Sequence, residues 1–190
     1  MTQLLALSEA LRRKDADTAD HSRKVADLAE RVGARLGMVG QQLRALRWAA
    51  LLHDVGKVHV RDELLCKPGP LSPEEFEEVK AHAAVGARMV EAVPYFGRVH
   101  PLVRWSHERF DGQGYPDGLA ADEIPLGARV IAACDAFDAM VSERPYRRAL
   151  SVRVALGELR AGAGTQFDPS VVRALVDEVS EPVLVDARIA

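Results

Sequence analysis

Leu51-Leu52-His53-Asp54-Val55-Gly56-Lys57 sets a histidine, an aspartate and a lysine at the end of an apolar helical stretch. Ionisable groups among leucines cost free energy unless they are paired or hold a metal. Imidazole and carboxylate are ligands that borderline transition-metal ions accept, and a carboxylate can bridge two of them. Consecutive side chains on a regular helix diverge by about 100°. His53 and Asp54 can therefore meet one ion only where a helix ends or across a cleft. Leu51 and Leu52 before the pair, and Gly56 after it, suit a helix that ends inside the core. Further donors recur at His21, His82, His107 and Asp135. Phosphodiester hydrolysis at neutral pH is one reaction that needs such ions, to make hydroxide from water and absorb charge on phosphoryl oxygens.

Outward from this stretch the periodicity is helical. Leu43, Leu46, Ala50 and Leu51 predict a helix over Gln41 to His53. Before it, Val25, Leu28, Ala29, Val32 and Leu36 share one face of a helix from about Asp17, with Gly37 as its stop. Leu4 to Leu11 predict a further helix at the N-terminus. Beyond Lys57, Val60-Arg61-Asp62 and Lys67-Pro68-Gly69-Pro70 read as loop. Ser72-Pro73-Glu74-Glu75 is a helix start, with Ser72 as cap, proline at the first position and Glu75 closing a capping box. That helix is expected to pass His82 and stop near Pro94. Others are expected over Val99 to His107, Leu126 to Val141, Ser151 to Arg160 and Pro169 to Glu178, with a stub of strand at Val183-Leu184-Val185. A Gly/Pro-rich loop fills Arg109 to Pro125. Strand–helix alternation of the kind that builds a parallel sheet is absent, so the expected class is all-α.

With 190 residues, one domain is expected over 1–190, with its core at about 15–180 and a helix over 1–14. A net charge of −3 gives no general basic field, which argues against a nucleic-acid polymer as partner. An anionic substrate must then be met by local cations and metals. No apolar run approaches the roughly 20 residues of a bilayer span, and Met1 to Leu5 lacks the basic region of a secretory signal. Cys66 and Cys134 have no CxxC spacing and are expected to be reduced. A cytoplasmic location and no membrane partner are the expectations. The sequence does not give the oligomeric state.

An ordered set of motifs runs from about Asp15 to Pro169: Asp20-His21-Ser22, the His53 to Lys57 stretch, Lys67 to Leu71, and His82 with Gly86. It continues through His107-Glu108-Arg109, Gly112-Gln113-Gly114-Tyr115-Pro116, Asp135-Ala136-Phe137-Asp138-Ala139 and Arg144-Pro145-Tyr146-Arg147. In this order and spacing they resemble the HD-GYP phosphodiesterases, a branch of the HD metal-dependent phosphohydrolase superfamily. The resemblance implies a helical HD-domain bundle of about seven to eight helices. It also implies a centre of two or three divalent metal ions, iron or manganese, and hydrolysis of cyclic di-GMP to pGpG, GMP or both. By the same resemblance His21, His53, Asp54 and Asp135 would hold one metal, Asp54, His82 and His107 a second, and a bridging hydroxide would attack phosphorus in line. Lys57 would contact a phosphoryl oxygen. Arg144 and Arg147 would grip phosphates, and Arg109, Gly114, Tyr115, Pro116 and Asp138 would complete the substrate site. The residues agree: Gly112 and Gly114 permit positive φ and close backbone approach, and Tyr115 offers a ring for guanine stacking.

Two positions depart from the family pattern. Ser106 stands where a second consecutive histidine is usual, and a hydroxyl is a poor ligand for these ions, so the second site is expected to be weakened. Asp17 stands where an aromatic residue is frequent and could add a ligand of the trinuclear type. Two alternatives stay open. One is an HD phosphohydrolase acting on another nucleotide, cyclic or not. The other is a degenerate module that binds a cyclic dinucleotide or docks a signalling partner such as a GGDEF-type cyclase. No input module is expected within this sequence.

Overall fold

The computed structural model describes residues 16–143 and 148–181, with the backbone alone for residues 16–19. Eight α-helices are described: α1 Ala16–Arg35, α2 Gln41–Leu52, α3 Asp62–Leu65, α4 Pro73–Glu91, α5 His100–Arg104, α6 Leu126–Val141, α7 Val152–Ala161 and α8 Pro169–Ser180. Two short 3-10 turns, Val55–His59 and Ala121–Glu123, join them. No strand occurs among the described residues, only two isolated bridges. The all-α class holds. The helix expected over 1–14 and the strand stub at 183–185 lie outside the described residues.

The α1 stripe is buried as its spacing requires. Val25, Ala29 and Val32 are fully buried and belong to one core with Leu46, Ala49 and Ala50 of α2, Val130 and Ile131 of α6, and Val171 and Leu175 of α8. Helix α1 packs against α2, α6 and α8, so the face that carries His21 also carries the fold. Gly37, at φ 81°, ends α1, and Met38 N–H returns to the Gly33 carbonyl at 3.0 Å. Ser72 caps α4 as expected, with both hydrogen bonds of the capping box present.

Some boundaries move. Val55–His59 forms a 3-10 turn, and Asp62, expected in loop, opens one helical turn, Asp62–Leu65, with acidic residues at its start and Leu64 buried beneath. Helix α4 stops at Glu91, and α5 runs only from His100 to Arg104. Trp105 leaves helical geometry at φ −105°, ψ 15°, which frees Ser106 and His107 to turn away from the helix axis.

Candidate metal centre

Helix α2 delivers His53 and then ends. Asp54 sits at φ −99°, ψ 5°, and the change from α-helix to 3-10 turn brings the two side chains back together, His53 Nε2 to Asp54 Oδ2 at 3.4 Å. Gly56 explains the tightness of the turn. A β-carbon there would lie 2.0 Å from the His82 carbonyl oxygen and 2.6 Å from the Gly86 nitrogen. Backbone thus rests on the backbone of α4, and His82 Nε2 comes within 3.3 Å of Asp54 Oδ1. His107, from the turn after α5, completes this side, 2.9 Å from His82 Nε2 and 3.7 Å from Asp54 Oδ1.

On the other side, α1 and α6 face each other. His21 Nε2 lies 3.0 Å from Asp135 Oδ1, and His53 Nε2 lies 3.9 Å from the same oxygen. The ligand atoms of His21, His53 and Asp54 fall within 4.8 Å of one another, as do those of Asp54, His82 and His107. Asp54 belongs to both groups. His53 Nδ1–H donates to the Ala50 carbonyl at 2.8 Å and His82 Nδ1–H to the Val79 carbonyl at 2.6 Å. Each bond fixes a tautomer whose Nε2 lone pair faces the centre.

The donor set fits divalent cations. His53 Nε2 and Asp54 Oδ1 are buried polar atoms without a hydrogen-bond partner. An unmet buried polar atom costs about 1–3 kcal/mol, and a cation shared by both groups would remove that cost. Burial pushes the Asp54 carboxyl upward, but the Lys57 ammonium and the His53 ring outweigh it and hold it well below its ordinary value. Asp135, raised by burial and lowered more by His21, is held down to about 2. Burial also keeps His107 below its usual range, which leaves a neutral imidazole. His21 goes the other way. Burial opposes its charge, yet hydrogen bonds to Asp135 and Asp138 raise it to about 9.

The remaining expected residues are placed as follows. Lys57 Nζ bonds Asp54 Oδ2 at 2.6 Å. Asp138, expected at the substrate, is buried, and its carboxylate accepts from His21 Nδ1 at 2.6 Å and Ser142 Oγ at 3.3 Å. Its contacts are those of a residue that orients His21. Ser106 is buried and donates to the Val103 carbonyl at 3.0 Å, outside both ligand groups. The Asp17 side chain and the Arg144 to Arg147 segment lie outside the described residues.

The Gly/Pro-rich loop closes one side of a cavity of about 300 Å³ whose lining includes His107, Arg109, Gly114, Tyr115 and Asp135. Gly112 has φ 77°. Gly114 is needed for contact instead: a β-carbon there would meet Arg109 N at 2.2 Å and Glu108 Cα at 2.5 Å. Arg109 is held by both oxygens of Asp111, at 3.0 and 2.6 Å. Tyr115 precedes a cis bond to Pro116 and stacks on His107, with centroids 5.2 Å apart and planes 15° apart. Burial, then the Asp54 and Asp135 charges, raise its hydroxyl above the usual tyrosine range. Phe76 and Lys80 of α4 also line the cavity. Sequence reasoning had not singled them out. Their i,i+4 spacing shows a shared face, but not what that face meets.

An all-α bundle whose Asp54, next to His53, is shared by two ligand groups has the donor set of a centre for divalent metal ions. The chain belongs to the HD domain family, whose model matches residues 5–171. It is 38% identical over 175 residues to the cyclic di-GMP phosphodiesterase response regulator RpfG of Xanthomonas campestris, covering 91% of this chain and 46% of that protein. It is also 38% identical over 162 residues to the 3'3'-cGAMP-specific phosphodiesterase 3 of Vibrio cholerae, covering 85% of this chain and 35% of that protein. The crystal structure of the cyclic GMP-AMP specific phosphodiesterase V-cGAP3 of V. cholerae shares the fold, with a TM-score of 0.72 at 20% identity over 94% of this chain and 48% of that one. The chain spans less than half the length of these relatives. No helix among the described residues is long and apolar enough to cross a membrane.

Proposed function

We propose that the chain is a metal-dependent phosphodiesterase that hydrolyses cyclic di-GMP to pGpG, GMP or both. The carrying observation is the shared Asp54, flanked by two ligand groups whose His53 Nε2 and Asp54 Oδ1 are buried and unpartnered. His21, His53, Asp54 and Asp135 would hold one ion, and Asp54, His82 and His107 the other. Iron or manganese suits this mixed imidazole–carboxylate set. When bound, such ions supply Lewis acidity toward phosphoryl oxygens and an acidified water.

The chain's own groups do the rest. The Ala50 and Val79 carbonyls hold the rings of His53 and His82 in register, and Asp138 does the same for His21. Lys57, 2.6 Å from Asp54, places a cation beside the shared carboxylate, where a phosphoryl oxygen can accept a hydrogen bond from its ammonium. Arg109 gives a second cation at the cavity. Arg144 and Arg147 are proposed phosphate contacts, and Asp17 a further ligand, from the family resemblance alone. Gly114 to Pro116 shape the substrate side.

Protein purified without oxygen and loaded with iron or manganese should convert cyclic di-GMP to linear product, followed by chromatography. His53→Ala with Asp54→Ala should abolish turnover, and unchanged turnover in that double variant would sink the mechanism. A second substrate, 3'3'-cGAMP, belongs in the same assay, because relatives named for each substrate are equally identical to this chain. Tight binding without turnover at full metal occupancy would favour a binding module, with a signalling protein as its partner.

A further inference from the structure

Tyr115 is the ring the sequence offers to a base, yet one of its faces is taken by His107. Phe76, on the first turns of α4, is the more open aromatic of the same cavity. It is 44% exposed, lines the cavity, and meets Tyr115 at right angles, centroids 6.2 Å apart. Lys80, one turn further on, holds its ammonium 4.8 Å from the centre of the Phe76 ring and 6.0 Å from that of Tyr115, while paired with Glu77 at 2.7 Å. About 300 Å³ is at the small end of the roughly 300–1,000 Å³ that encloses a small ligand. A molecule of two nucleotides would therefore extend across the rim, where Phe76 and Lys80 stand.

We propose that Phe76 and Lys80 form a stacking subsite for one purine base of the substrate. The base lies against the Phe76 ring, and Lys80 supplies positive charge to the phosphate of the same nucleotide. Aromatic rings suit this task because every base has a π face; the Lys80 ammonium lies over one face of Phe76, so the base is assigned to the other, with the ammonium's charge still within reach of its phosphate. The inference rests on the cyclic-dinucleotide reading above for the identity of its ligand. Phe76 is also the fourth helical residue after the Ser72 cap, with Leu71 before it, which is the spacing of a hydrophobic staple. Phe76→Leu keeps the apolar staple and removes the ring, so it separates the two roles.

The experiment uses the metal-loaded chain and a cyclic dinucleotide with 2-aminopurine in place of one base. Its emission is read by stopped flow before turnover, alongside the KM and kcat for cyclic di-GMP. The wild-type protein should quench the emission. Phe76→Leu should lose the quenching and raise Kd and KM about fivefold or more, the weak end of one base–aromatic stack, with kcat within about twofold. Phe76→Trp should restore both, and Lys80→Gln should raise Kd and flatten its salt dependence. Unchanged quenching and KM in Phe76→Leu would overturn the subsite, as would a wild-type protein that binds without quenching. Quenching that depends on Phe76 in a protein without turnover would leave the subsite standing and remove the phosphodiesterase reading.

Discussion

The turn after α2 and the loop after α5 both bring residues to the centre, and different contacts hold them. At Gly56 backbone lies directly on the backbone of α4 between His82 and Gly86. The loop from Glu108 to Gly118 is tied by backbone and side chains together: Phe110 and Asp111 N–H donate to the Gln166 and Thr165 carbonyls at 3.2 and 2.8 Å, Glu108 Oε1 accepts from Asp117 N–H at 2.7 Å and Gly118 N–H at 3.0 Å, and Asp117 is held by Arg104 and by the Trp105 indole. Helix-to-helix contact has no slack, while a loop laced by side chains can shift by tenths of an ångström. Asp54 and His82 are therefore placed by backbone resting on backbone, whereas His107 and the substrate face depend on a loop with many side-chain ties.

Gly56→Ala is the strongest way to break that contrast. Its methyl has no space short of moving α4, so a loss of about 3 kcal/mol is expected, or a melting temperature lower by about 6–12 °C. Metal content should fall with it, measured by elemental analysis on the folded fraction. Wild-type stability with full metal content would show that the turn and α4 can separate freely. Asp138→Ala should come next. It leaves His21 Nδ1 without its acceptor, and loss of such a partner typically weakens metal affinity 10–100-fold. Asp138→Asn keeps an acceptor oxygen and should fall between. Competition with a fluorescent chelator reads both.

The sequence was legible where local rules decide. The α1 stripe ending at Gly37, the Ser72 capping box and the Leu126–Val141 helix follow from periodicity and caps. The metal-ligand candidates His21, His53, Asp54, His82, His107 and Asp135, which the ordered motifs of the family resemblance single out, also lie together. What local rules could not supply was direction. Asp138 and Asp135 are three apart on α6 and share a face, yet one approaches His53 and the other lies behind His21, a distinction set by where α1 crosses. Tyr115 was legible as a stacking ring, but not that His107 would cover one side of it. Phe76 and Lys80 stayed hidden because an exposed i,i+4 pair on a helix reads as ordinary surface.

Gly114→Ala sharpens the comparison with Gly56 directly. Its β-carbon would meet backbone again, Arg109 N at 2.2 Å and Glu108 Cα at 2.5 Å, but within one loop rather than against a helix. The expected cost is about 1 kcal/mol, with metal content unchanged and the KM for cyclic di-GMP raised. An effect on stability as large as that of Gly56→Ala would erase the distinction between the two walls.

Glu108→Gln should have the smallest effect, and its sign is informative. Glu108 is buried, and Oε2 has no partner; burial raises its carboxyl above the ordinary value, although the Asp117 and Gly118 N–H groups pull the other way. A carboxyl raised on folding binds its proton more tightly in the folded state, so the wild-type protein gains stability as pH falls through that raised value toward the unfolded one. Near pH 7 the charge is a burden that glutamine lacks, while its amide oxygen can still accept from Asp117 and Gly118. Glu108→Gln should therefore melt no lower than wild type at pH 7, and any advantage should shrink in thermal unfolding scans taken toward pH 4.5. A marked loss of stability at pH 7 would mean that the charge, rather than the acceptor, ties the loop down.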